Sequence, residues 1–174
     1  MEKENEHNEG NYNYKQEIYN EVENKIKGLL QDEDDWLANM ANVSAVIYQQ
    51  VPDLNWSGFY LRQSPGDLVL GPFQGKSACV RIAPGNGVCG TAVKEKEAII
   101  VPDVHDFPGH IACDPASRSE LVIPIWLDDD IIGVLDLDSP NLARFDEYDC
   151  QRLQAIIELL VDSSNFEGYD FYSS

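Results

Sequence analysis

Residues 119–139 read SELVIPIWLDDDIIGVLDLDS, two apolar runs separated by three consecutive aspartates. Short runs rich in Val, Ile and Leu are typical of β-strands, and the aspartate triplet predicts a tight turn between them. We therefore predict an antiparallel hairpin. In its second strand Asp136 and Asp138 share one face and Leu135 and Leu137 share the other, because strand side chains alternate.

Further strand-like runs lie before this hairpin. WSGFYLR (56–62) and DLVLGPF (67–73) are joined by QSPGD, in which Pro-Gly is a turn signal. SACVRI (77–82) and AIIVPD (98–103) are two more candidate strands. The sequence therefore predicts five or six strands between residues 56 and 139.

Helical spacing of apolar residues occurs at both ends of the chain. It appears at residues 18–30, at 36–52 and at about 146–163, and a glycine-rich turn opens a shorter helix within 83–97. Helices that flank a block of antiparallel strands predict an α+β fold, with one sheet and helices packed against it.

Composition excludes several classes of function. The chain has 174 residues, and its 31 acidic against 12 basic residues give a formal net charge of −19. This balance argues against binding to nucleic acid or to an anionic membrane surface. The N-terminus lacks the apolar segment of a secretory signal, and no apolar run approaches the ~18 residues of a membrane helix. We expect a cytoplasmic protein, with a nuclear location left open, whose cysteines are normally reduced.

Four cysteines are spread along the chain in different settings. Cys113 lies in VPDVHDFPGHIACDPASRSELVIP (101–124), where Pro, Gly, His and Asp favour a partly exposed thiol with tunable ionisation. Cys89 follows a glycine-rich turn at a helix start, where N–H groups favour a thiolate, although a structural role fits equally well. Cys150 falls within the last helix and is predicted to lie in the core. Together with Cys79, these positions lack the paired C-x-x-C spacing of zinc sites, which favours thiol redox chemistry over a metal.

Three carboxylates and two aromatic residues are candidates for a ligand pocket. Asp136 and Asp138 share a strand face, and Glu120 begins the neighbouring strand, so the three are predicted to form an anionic pocket. Such a pocket suits an ammonium group, a metal ion or a shared proton. Trp56 and Tyr60 share a face of the first strand and either wall this pocket or pack in the core.

Three of these segments resemble one enzyme family. GNGVCGTA (85–92), VPDVHDFPGHIACDPASRSELVIPI (101–125) and GVLDLDS (133–139) are similar to the free methionine-(R)-sulfoxide reductases, small enzymes built on a single GAF domain. The resemblance implies a six-stranded antiparallel sheet with helices against it. It also implies thiol-dependent reduction of free methionine-(R)-sulfoxide to methionine, with thioredoxin as the reductant.

The resemblance also implies the domain boundaries. It covers residues 32–162, so we place a GAF catalytic domain at 32–163. An acidic, polar extension that is partly helical or disordered occupies residues 1–31, of which 1–14 are expected to be disordered or variable. Residues 164–174 form a C-terminal tail.

Roles carry over from the family onto the matching positions. The resemblance implies that Cys113 is the attacking thiol and Cys79 the resolving thiol, with Cys89 as the alternative. The substrate-binding positions are two aromatic and three acidic residues, Trp56, Tyr60, Glu120, Asp136 and Asp138. No cofactor and no metal are implied, and a homodimer is left open. The alternative hypothesis is a non-catalytic GAF module that binds a small ligand.

Overall fold

The computed structural model describes residues 2–63, 66–109 and 114–169, with side chains from residue 13 onward. Within this part of the chain there are four α-helices and one short 3-10 turn at Val104–Asp106. The helices are α1 (Glu2–Leu30), α2 (Trp36–Gln50), α3 (Gly87–Glu95) and α4 (Glu147–Asp162). None of the described helices is both long and apolar enough to cross a membrane.

The described strands form one six-stranded sheet in which every pair of neighbours is antiparallel. Its strands are β1 (Trp56–Arg62), β2 (Leu68–Gly75), β3 (Arg81–Ile82), β4 (Ile99–Val101), β5 (Ser119–Leu127) and β6 (Asp130–Ser139). Their order across the sheet is β3-β2-β1-β6-β5-β4. The predicted α+β fold with a six-stranded antiparallel sheet is confirmed, and β5 and β6 form the predicted hairpin.

The two faces of the sheet are covered by different elements. One face buries Leu121, Leu135 and Leu137 in a large apolar core with α1, α2 and α4. The other face buries Val122 and Val134 in a smaller cluster with α3. Alternation along β6 therefore turns its leucines toward the large core and its aspartates toward the α3 side, as the sequence predicts.

Two segments differ from the sequence-based expectation. SACVRI was predicted as a strand, but only Arg81 and Ile82 are in β3. The Tyr60 hydroxyl donates a hydrogen bond to the carbonyl oxygen of Cys79 at 3.0 Å, so this carbonyl bonds to a side chain instead of a neighbouring strand. At the N-terminus, α1 extends back to Glu2, whereas residues 1–14 were expected to be disordered or variable.

A buried carboxylate joins α1 to the body of the protein. Asp149 in α4 is fully buried and accepts hydrogen bonds from Lys15 Nζ at 2.6 Å, the Tyr19 hydroxyl at 2.8 Å and Arg144 at 3.2 Å. It also accepts a hydrogen bond from the backbone N–H of Asp146, the residue that caps the start of α4. Two cations and a capping box thus compensate the cost of burying this charge.

We expect Asp149→Asn to lower the free energy of unfolding by about 3 kcal/mol, because Lys15 and Arg144 would lose the carboxylate that compensates their partly buried charges. Equilibrium urea denaturation measures the change. Asp162→Asn, an exposed aspartate at the end of the same helix, is the matched control, with an expected change below about 0.5 kcal/mol. A similar loss in both variants would contradict the role assigned to this network.

Candidate active site

A cavity on the α3 side of the sheet brings together most of the predicted site residues. Its walls come from β1, β5, β6, the start of α3, the segment before β3 and the chain that follows Cys113. The lining residues are Trp56, Tyr60, Ser77, Ala78, Ile82, Asn86, Gly87, Val88, Cys89, Asp114, Ser117, Glu120, Asp136 and Asp138.

Strand register places the three carboxylates beside one another. Asp138 of β6 lies opposite Glu120 of β5 on one side and opposite Trp56 of β1 on the other. Asp136, two residues earlier on β6, points to the same face. Glu120 and Asp136 are both more than nine-tenths buried, so the cluster is largely withdrawn from water.

Burial and mutual repulsion raise the pKa of every carboxyl group in this cluster. Burial is the largest cause for Glu120, followed by the charges of Asp136 and Asp138, and its pKa lies well above the usual range. The pKa of Asp136 is raised well above its usual range by burial and then by Asp138. Burial raises the pKa of Asp138 to about 7, although a hydrogen bond from Ser117 lowers it in part. The cluster therefore retains protons at neutral pH and can both donate a proton and accept hydrogen bonds.

The two pocket aromatics also hold the segment that contains Cys79. Trp56 and Tyr60 are buried and stacked, with ring centroids 5.9 Å apart. The Trp56 indole N–H donates to the Lys76 carbonyl at 3.1 Å, and the Tyr60 hydroxyl donates to that of Cys79 at 3.0 Å. These side chains therefore form one wall of the cavity and fix the backbone on both sides of Ser77 and Ala78.

Cys89 is buried at the start of α3, where its thiol donates a hydrogen bond to Asp136. The preceding turn needs glycine, since Gly85 and Gly87 have φ of 80° and 60° and a Cβ on Gly90 would collide with the Ala83 carbonyl. We expected the helix start to favour a thiolate, and this is wrong. Burial, Asp136 and Glu120 raise the pKa of Cys89 well above its usual range, which outweighs the helix dipole.

The other two described cysteines, Cys79 and Cys150, occupy different environments. Cys79 is half-buried and disulfide-bonded, whereas Cys89 and Cys150 are free thiols. Cys150 is buried in α4 within the core on the opposite face of the sheet, as predicted. Cys113 lies outside the described residues.

Sequence reasoning missed an aspartate that organises the chain after Cys113. Asp114 accepts hydrogen bonds from the backbone N–H of Ala116 at 2.9 Å and from the Asn55 amide at 3.3 Å, and forms a salt bridge with Lys76 at 3.1 Å. The pKa of Asp114 is lowered, and the hydrogen bond from the backbone N–H of Ala116 is the largest cause. Burial opposes this shift, and Lys76 adds to it. The Asp-Pro pair is a turn signal that could have indicated this role. The salt bridge joins the segment before Cys79 to the segment after Cys113.

Comparisons with known proteins agree with this architecture. The GAF domain profile matches residues 35–161. Protein YtsP of Bacillus subtilis is 50% identical over 84% of this chain and 90% of its own length. The free methionine-R-sulfoxide reductase of Escherichia coli is 49% identical over 84% of this chain and 88% of its own. The X-ray structure of free methionine-R-sulfoxide reductase from Neisseria meningitidis in complex with its substrate has a TM-score of 0.80 at 45% identity, covering 83% of this chain and 87% of that one.

We expect the carboxyl cluster to make stability fall as pH rises. A carboxyl group with a raised pKa binds more protons in the folded than in the unfolded state, so its contribution to stability falls as pH rises. The contribution of Asp138 is greatest below about pH 4 and declines as pH rises to about 7. For Asp138 the decline between pH 5 and pH 7 should be about 2 kcal/mol. Asp138→Asn should remove it, as measured by urea denaturation across this range.

The control for this experiment is Asp129→Asn, which changes an exposed aspartate in the β5–β6 turn. It should leave the pH dependence as it is in the parent protein. An identical pH profile for Asp138→Asn and the parent would contradict a raised pKa at Asp138.

Proposed function

Because this chain belongs to the GAF-domain family of free methionine-R-sulfoxide reductases, we propose that it reduces free methionine-(R)-sulfoxide to methionine through Cys113, Cys79 and thioredoxin. The chain is thus an oxidoreductase. The observation that carries the proposal is the buried cluster of Glu120, Asp136 and Asp138, which shares its cavity with Trp56.

The carboxyl cluster matches the ammonium group of a free amino acid. Asp138, whose pKa is raised to about 7, is partly ionised at neutral pH and accepts charge-assisted hydrogen bonds from the substrate ammonium. A peptide-bound methionine sulfoxide has a neutral amide at this place and would leave the buried charge uncompensated. The pocket therefore selects the free amino acid over the residue within a chain.

The other two carboxyl groups match the sulfoxide. Burial raises the pKa of Glu120 and of Asp136 well above the usual range, so both groups can carry a proton, and a proton donated to the sulfoxide oxygen makes the sulfur more electrophilic. The Trp56 ring, stacked between Tyr60 and Phe73, offers an apolar surface for the methyl group. With the oxygen and the methyl group held by different side chains, the pocket selects one configuration at sulfur.

The first turn of α3, which lines the same cavity, offers donors to the substrate carboxylate. The N–H groups of Gly87, Val88 and Cys89 are in the first turn of α3, where they have no intrahelical acceptor. The side chain of the N-cap residue, Asn86, makes no capping hydrogen bond to them. The cavity thus offers carboxyl groups to the ammonium of a zwitterion and a helix N-terminus to its carboxylate.

The redox cycle proceeds in three balanced steps. The Cys113 thiol takes the oxygen from the sulfoxide, which releases methionine and leaves a sulfenic acid. The Cys79 thiol condenses with this sulfenic acid, so a disulfide forms and water leaves. A thioredoxin dithiol then reduces the disulfide by exchange and becomes oxidised.

The assignment of the cysteines rests on their environments. Cys79 is disulfide-bonded, while Cys89 and Cys150 are free thiols. We propose Cys113 as the partner of Cys79, because the family resemblance assigns the attacking and the resolving thiol to these two positions. Cys89 is less suited to attack because it is buried and its pKa is raised by burial and two carboxyl groups.

One observation favours a second candidate function, the binding of a divalent cation. A ligand atom from each of Cys89, Glu120 and Asp136 lies within 4.8 Å of the others. The raised pKa of all three groups opposes this, since a metal requires deprotonated ligands. Stoichiometric metal in the purified protein, measured by elemental analysis, would favour the cation site over the proton-sharing cluster.

The substrate class is tested by following NADPH oxidation in the presence of thioredoxin and its reductase. We expect turnover of free methionine-(R)-sulfoxide, little with the S epimer, and a loss in kcat/KM of about 100-fold for the N-acetylated R epimer, because acetylation removes one charge-assisted contact. Equal rates for free and N-acetylated substrates would contradict the ammonium pocket. Tight ligand binding without turnover would favour the non-catalytic module.

The thiol roles are tested by measuring methionine released per enzyme, with and without thioredoxin. Cys113→Ser should abolish release. Cys79→Ser should release about one equivalent and then stop, because the sulfenic acid is not resolved. Cys150→Ser is the matched control and should cycle normally, since Cys150 lies on the opposite face of the sheet. Full release by Cys113→Ser would instead point to Cys89 as the attacking thiol.

A further inference from the structure

The most exposed large apolar side chain among the described residues lies beside the disulfide-bonded cysteine. Val80 is 64% exposed and directly follows Cys79. A single exposed valine has no special meaning on most surfaces. At this position, however, a protein that attacks the sulfur of Cys79 must bring its own thiol close to Val80.

The backbone next to Val80 is the open edge of the sheet. The Val80 carbonyl accepts the N–H of Leu70 at 3.0 Å, and Ile82 pairs with Leu68. In an antiparallel pair the groups of the intervening residue point the other way, so the N–H and C=O of Arg81 face outward from β3. No described strand pairs with that side, since β3 is the last strand of the sheet. Such an edge can pair with an extended segment of a second protein.

The charge of this edge is opposite to that of the whole protein. The sequence contains no aspartate or glutamate from Leu68 to Lys94, although the chain has a net charge of −19. Lys76 in this stretch is paired with Asp114, and Lys94 lies 3.7 Å from Glu95. Arg81 is exposed and forms no salt bridge with any described residue. The edge therefore attracts an acidic contact surface, accepts a neutral one and repels a basic one.

We propose that the protein dithiol that regenerates the enzyme docks along the open edge of β3. Val80 provides an apolar contact for it, and Arg81 provides a positive charge and outward-facing backbone groups. The proposal rests on the function proposed above, in which thioredoxin is that dithiol. The proposal implies that the reductant attacks the sulfur of Cys79, because Cys79 directly precedes Val80 on the docking edge.

The exchange then has a defined order. A thiolate of the reductant bonds to Cys79 Sγ, and the bond between Cys79 and its disulfide partner breaks. The partner, Cys113 in the function proposed above, leaves as a thiolate that can attack the next sulfoxide. The second thiol of the reductant closes its own disulfide and releases Cys79, so the reductant loses two electrons and the enzyme gains them.

Steady-state kinetics with two reductants test the docking surface. Val80→Asp and Arg81→Glu should each lower kcat/KM for thioredoxin by about tenfold or more. Both should leave turnover with dithiothreitol unchanged, because a small dithiol needs no docking surface. Two control variants make the same kind of change elsewhere on the surface. Leu142→Asp changes a leucine that is 53% exposed in another loop, and Lys25→Glu reverses an exposed charge on α1. Neither should alter turnover with either reductant.

Mixed-disulfide trapping identifies the thiol that is attacked. A thioredoxin that retains only its attacking cysteine should be trapped on Cys79, as located by peptide mass spectrometry. Unchanged thioredoxin kinetics in Val80→Asp and Arg81→Glu, or trapping on another cysteine, would overturn the docking proposal while leaving the sulfoxide reductase function intact. Absence of sulfoxide reduction with dithiothreitol in the parent protein would instead overturn the proposed function.

Discussion

Three carboxyl groups share one buried pocket, and like charges in a low-dielectric site cannot all ionise together. Adjacent strands fix Glu120, Asp136 and Asp138 in this position, so the chain cannot relieve the repulsion by moving them apart. The pocket must therefore hold protons, a cation, or both. In the proposed function a zwitterionic sulfoxide supplies the cation and takes a proton, so the repulsion between these carboxyl groups contributes to substrate selectivity.

The same residue type serves an opposite purpose on the other side of the sheet. Asp149 is as deeply buried as the pocket acids, but Lys15, Tyr19 and Arg144 surround it with donors. Asp136, by contrast, has a buried carboxylate oxygen without a hydrogen-bond partner and belongs to no salt bridge among the described residues. The buried charge of Asp149 is compensated, and this residue holds helices together. Asp136 lacks such compensation and remains available for a ligand.

The pocket and the open edge of β3 are linked by the segment that contains Cys79. Trp56 and Tyr60 face the cavity with their rings and hold the backbone of Lys76 and Cys79 with their polar groups. Lys76 in turn pairs with Asp114, which follows Cys113. The residues that we propose for substrate recognition and for reductant access are therefore joined by contacts around the β2–β3 connection.

The sequence alone predicted most of the strands and the sheet alternation that separates Leu135 and Leu137 from Asp136 and Asp138, because periodicity and turn residues are local signals. It did not predict the environments of those groups. The thiol of Cys89 was expected to ionise from its place at a helix start, yet the tertiary structure buries it against Asp136, which reverses the direction of its pKa shift. The roles of Asp114, Lys76 and Val80 likewise depend on contacts between segments distant in sequence, and strand order decides which of these segments meet.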